Sequence, residues 1–82
     1  MKITLMPPDG DGKMKGYTDF NPIEHGDLMD AIEDAGISIE EIGVCEQGSQ
    51  HTGFIIFPAL MEMDRYDVAS DLERLGFKTE IA

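Results

Sequence analysis

Eighty-two residues, 41% of them hydrophobic, fit a single small domain (1–82) with a modest core and leave little room for a large enclosed active site. Six Lys and Arg against 17 Asp and Glu give a formal charge of −11, which repels polyanions, so direct binding of nucleic acid is not expected. No apolar run reaches the roughly 18 residues of a membrane span, "MKITLMPP" lacks the build of a signal peptide, and the lone Cys45 leaves no internal disulfide. The expected setting is therefore a reducing cytoplasm, with no membrane partner.

"KITLM" (2–6) places Ile3 and Leu5 on one side and predicts a strand, ended by Pro7 and Pro8. "KMKGYTDF" (13–20) predicts a return strand, with Met14 facing away from Lys13 and Lys15. The joining loop "PPDGDG" sets Asp9 and Asp11 at the first and third positions of a calcium loop. Lys13, Met14 and Phe20 then stand where a ligand, a glycine and a glutamate are required. A phosphate loop fails as well, because Gly12-Lys13 is followed by methionine. A plain turn is expected.

Residues 21–36 predict a helix. Asn21 is the expected cap, Pro22 suits the first turn, Glu24 completes a capping box and Gly36 suits the position after the end. Leu28, Met29, Ile32 and Ala35 share one side of the wheel; Asp27, Asp30, Glu33 and Asp34 share the other. Residues 37–47 predict a strand, with either a bulge at Glu40–Glu41 or a short turn before a strand beginning at Ile42. Residues 51–58 predict a strong strand stopped by Pro58, joined to its predecessor by a hairpin turn at Gly48–Ser49. In that register Cys45 opposes Thr52, Gly43 opposes Phe54 and Glu46 opposes His51. One face then carries Ile42, Val44, Ile55 and Phe57, and the other Cys45, Phe54 and Ile56. Residues 63–76 predict a second amphipathic helix, capped by Asp64 and closed by Gly76, and 77–82 a last strand. Apart from the N-terminal hairpin arm, the order is β-α-β-β-α-β. The expected fold is α+β and ferredoxin-like: an antiparallel sheet with two helices on one face.

Charge is unevenly spread along these elements. Residues 1–20 sum to zero and 65–82 to −1, whereas 21–64 hold ten acids and no Lys or Arg. The acidic surface centred on Asp27, Asp30, Glu33 and Asp34, with Glu40 and Glu41, is the expected partner-binding site. Phe54 and Ile56 are the expected apolar interface, covered by the N-terminal arm or by a second chain, with Met61 and Met63 adding adaptable apolar surface. His25 is expected to pack at a helix end, His51 to pair with Glu46, and Cys45 to be a small packed residue. No acid–base, nucleophile or metal set assembles, so neither catalysis nor a cofactor is expected.

Over residues 28–80 the stretches "LMDAIEDAGISIEEIGV", "TGFIIF" and "VASDLERLGFKTE" resemble an ACT domain, a small regulatory ligand-binding module. That resemblance implies Gly36, Ile37 and Ser38 near a ligand or a dimer interface. The long link 7–20 departs from the short glycine loop that helps hold the ligand in that family. In size and charge the chain is also similar to acidic phage inhibitors of nucleic-acid-binding enzymes, of anti-restriction and anti-CRISPR type. The leading expectation is a non-enzymatic inhibitor, a nucleic-acid mimic docking on a basic surface of a nucleic-acid-binding protein. The alternative is an ACT-like domain that binds a metabolite at a homodimer interface.

Overall fold

The computed structural model describes residues 1–58 and 64–82. Met61, Met63 and Glu62 lie outside the described residues. Seven elements follow in chain order: β1 (Lys2–Leu5), β2 (Met14–Thr18), α1 (Gly26–Asp34), β3 (Glu41–Val44), β4 (Gly53–Phe57), α2 (Arg65–Arg74) and β5 (Lys78–Ile81). The strands form one sheet in the order β3-β4-β2-β1-β5.

Strand parity decides the layering. Ile3 and Leu5 of β1, Met14 and Thr18 of β2, and Ile55 and Phe57 of β4 are all buried, and the registers Ile3↔Thr18 and Met14↔Phe57 align them on one face. Met29 and Ile32 of α1 and Val68, Ala69 and Leu72 of α2 close the same apolar cluster. Both helices therefore cover one side of the sheet. Gly16 sits at the centre of this packing. A Cβ there would meet Ile3, Phe57 and Leu5 side chains at 3.0–3.3 Å, so its absence lets large residues from both flanking strands close over β2.

The sheet is mixed rather than antiparallel. β1–β2, β2–β4 and β3–β4 are antiparallel, but β5 runs parallel to β1. Its order also differs from a simple four-stranded ferredoxin-like sheet. The expected hairpin arm is no appendage: β2 takes the place beside β4, and β1 lies between β2 and β5. With β4, β1 and β5 all pointing one way, the path from β4 to β5 needs a crossover, and α2 supplies it.

Several local signals act as expected. The Asp64 side chain accepts from the Asp67 amide at 2.9 Å and caps α2. Gly36 and Gly76 follow the helix ends at φ of 94° and 101°, a region that disfavours any side chain. The start of α1 differs. Asn21 Oδ1 accepts from the Ile23 amide at 2.9 Å, closing a local turn, and the helix begins only at Gly26 with no side-chain cap. Residues 37–40 are irregular, and β3 starts at Glu41, close to the later of the two expected starts. The β3–β4 turn is also displaced. The Ser49 amide bonds to the Glu46 carbonyl, so Gly48 (φ 92°) is its third residue. The register nevertheless holds, with Gly43↔Phe54 paired and the Cys45 amide bonded to the Thr52 carbonyl.

At the start of β4, Gly53 has no room for a side chain. A Cβ would run into Pro22, with the Gly43 carbonyl and Thr18 Oγ1 each 2.9 Å away. Gly53→Ala is expected to lower stability by about 1–3 kcal/mol through overpacking. Urea unfolding checks this as a lower midpoint at unchanged slope; an unchanged midpoint would show that this contact is not tight.

Candidate functional site

The face of the sheet opposite the helices carries the outward residues of every strand. One register row runs across its full width: Gly43, Phe54, Tyr17, Thr4, Glu80. The adjacent row holds Glu41, Ile56 and Lys15. Phe54, Ile56 and Tyr17 are each half-buried, and no other element of the described chain covers them as the helices cover the opposite face.

The centre of this face is an aromatic cluster. The rings of Tyr17 and His51 stack at 4.4 Å, 11° from parallel. Lys15 Nζ lies 5.6 Å from the Tyr17 centroid and 5.4 Å from that of Phe54, within cation–π range of both. The Phe54 ring lies over Gly43, where a Cβ would come within 2.6 Å of a ring carbon. Depressions flank the Tyr17–His51 stack. One, of about 260 Å³, is lined by Lys2, Thr4, Asp19 and Glu80; the other, of about 460 Å³, by Lys15, Cys45, Glu46 and Phe54.

The expected site residues divide between the two sides of the sheet. Asp27, Asp30, Glu33 and Asp34 are exposed on α1, in the helical layer. Phe54 and Ile56 lie on the open face, as their parity predicts, and Glu41 joins them there opposite Ile56. Glu40 is engaged: Lys13 Nζ donates to its carboxylate at 2.8 Å, tying the β1–β2 loop to the approach of β3. Of the six acids, four stand on α1, Glu41 lies on the open face and Glu40 is ion-paired to Lys13.

Asp9 is also engaged. Its carboxylate accepts from the Asp11 and Lys13 amides at 2.8 and 3.0 Å and orders the loop, as a turn residue does. Among the described residues no group of three or more His, Cys, Asp or Glu is placed to hold a metal. His25 packs edge-on against Phe20 at 5.7 Å. His51 stacks on Tyr17, and no ion pair joins it to Glu46 among the described residues. Gly36, Ile37 and Ser38 line an open depression of about 320 Å³ with Glu33 and Ile39, although Ile37 itself points into the core.

Sequence reasoning missed Lys15, Tyr17 and His51 as members of one cluster. The parity of Lys15 and Tyr17, opposite to Met14, was the available signal; the pairing of β2 with β4 was not. No helix of the described residues is long and apolar enough to cross a membrane. Comparisons with protein-family models, with curated proteins and with solved structures return no match.

The hydrogen bond from Lys13 to Glu40, and the attraction of that carboxylate, raise the Lys13 pKa above its ordinary 10.5; Asp11 and Asp9 add to the rise. Because the folded value is raised, the pair's contribution is fully present below pH 10.5 and is lost as pH climbs through the raised value. Glu40→Gln is expected to lower the Lys13 titration midpoint, followed by NMR at the Lys13 Cε. An unmoved midpoint would show that Glu40 is not its partner in solution.

Proposed function

We propose that the protein is a non-enzymatic binding module that docks through the acidic face of α1 on a basic, nucleic-acid-binding surface of a partner protein, inhibiting it. One observation carries this reading. Asp27, Asp30, Glu33 and Asp34 are all exposed on a helix of nine residues, and none is ion-paired among the described residues. Asp27, in the first turn, suits the helix dipole, but the other three do not serve the helix: like charges at these spacings repel, and Glu33 and Asp34 oppose the dipole. Residues 21–64 contain no Lys or Arg of their own. Such a one-signed surface speeds encounter with a basic partner and competes with nucleic acid for it. The small size and acidity, similar to phage inhibitors of nucleic-acid-binding enzymes, support the same reading. In fold, we read β1 as a strand inserted into a ferredoxin-like pattern, since β3-β4-β2-β5 without it is the split β-α-β-β-α-β order.

The test is the variant Asp27→Lys/Asp30→Lys/Asp34→Lys against a panel of purified basic nucleic-acid-binding proteins, with displacement of their nucleic acid as the readout. The native chain is expected to displace nucleic acid from its target, more weakly as salt rises. The variant is expected to lose affinity by about tenfold or more. Equal displacement by both chains would overturn the reading.

The depression beside Gly36 and Ser38 favours a second reading, an ACT-like module that binds a small metabolite. A thermal-shift panel of free amino acids separates the two readings: a ligand-dependent rise in Tm supports the second, and a flat panel removes it.

A further inference from the structure

The open sheet face differs from the rest of the surface in charge. Its outward lysines, Lys2, Lys15 and Lys78, stand against Asp19, Glu41 and Glu80, with Glu46 at the rim, so the face sums to −1. Residues 21–36 and 64–74, which hold the helices and their caps, sum to −7. Two copies of a chain at −11 repel most through their helical layers; the sheet face, at −1, opposes such contact far less. The same near-neutral face offers no positive field to a polyanion, and a strongly basic partner finds more attraction at α1.

At its centre lie Tyr17, Phe54 and Ile56, flanked by residues of both signs: an apolar middle with a mixed-charge rim. Size is compatible as well. The molecule measures 34 × 27 × 20 Å, so one face has an outline of at most roughly 700 Å², an upper limit near the ~800 Å² that each partner contributes to a specific complex.

We propose that the open face of the sheet binds the same face of a second copy of this chain, forming a reversible homodimer with both acidic helical layers turned outward. Contact joins the apolar centres; at the rim Lys2 is already paired with Glu80 at 3.4 Å and Asp19 accepts from the Lys2 amide, so Lys78 of one copy and Glu41 of the other are the charges that meet across the interface. This does not rest on the docking role of α1, and salt separates the two. Screening relieves the repulsion between two −11 chains, so the dimer tightens as salt rises, whereas docking of α1 on a basic surface weakens.

Sedimentation equilibrium of the full chain over a wide concentration range, at low and high salt, is the test. The expected result is a monomer–dimer equilibrium, with a dissociation constant on the order of micromolar that falls with salt. Ile56→Lys and Thr4→Arg, both pointing outward from the open face, are each expected to raise it about tenfold or more. Each variant makes the chain less acidic and so reduces global repulsion, which leaves loss of the interface as the cause. Circular dichroism confirms that the variants are folded. In the native chain, concentration-dependent NMR shifts at the Tyr17 and Phe54 rings and the Ile56 methyl provide a readout that needs no variant. A chain monomeric throughout would overturn the proposal, as would a dimer unmoved by both variants or one that salt dissociates. Binding of oligothymidylate by the monomer through Tyr17 and Phe54 would reassign the face to single-stranded nucleic acid.

Discussion

A chain this short builds one core, and here that core lies on one side of one sheet. The constraint is carried by β2. Its inward positions are Met14, Gly16 and Thr18, and the missing side chain at Gly16 lets Ile3, Leu5 and Phe57 meet over the strand. Once those residues point to the helices, strand alternation obliges Lys15 and Tyr17 to point the other way, and pairing obliges Phe54 and Ile56 to join them. A one-residue slip of β2 would exchange Met14 for Lys15 in the core, which desolvation of the ammonium forbids. The open aromatic face is therefore the necessary reverse of the core.

Charge follows the same division. Acids collect on the helical layer, where solvent accepts them on three sides, while three of the four lysines lie on the open face. The fourth, Lys13, is held by Glu40 at the mouth of the β1–β2 loop. Exposed pairs of this kind add little stability, so their arrangement bears more on what approaches each face than on why the chain folds. A molecule with one face at −1 and the opposite layer at −7 presents two surfaces of very different charge.

Features set by neighbours in sequence were legible, and features set by the choice of distant partners were not. Asp64 as a cap, Gly36 and Gly76 past the helix ends, and the Gly43–Phe54 register all follow from local chemistry and parity. The order of β1 and β2 does not. Both strands offer the same alternation, so nothing local decides which pairs with β4. Asn21 shows a second kind of ambiguity: an asparagine that caps a helix and one that closes a turn two residues on look alike until the helix start is known. The candidate site divides similarly. Exposure of the four α1 acids, and the outward side taken by Phe54 and Ile56, could be read from periodicity. The Tyr17–His51 stack requires β2, β4 and their flanking turn to be assembled first.

The two faces become related once a second copy is considered. Face-to-face pairing across the sheets covers the apolar residues and leaves both α1 helices outward, on opposite sides of the pair. The pair then offers two acidic surfaces joined by a rigid body rather than by a linker. A partner with two basic surfaces at a matching separation, such as a protein repeated along nucleic acid, would meet the second at high effective concentration, and avidity would rise without any new contact. On the proposed assembly salt would act in opposite directions, strengthening the union of acidic chains and weakening their hold on a basic target. Affinity for a bivalent target should therefore pass through a maximum at intermediate ionic strength, a shape that neither face produces alone.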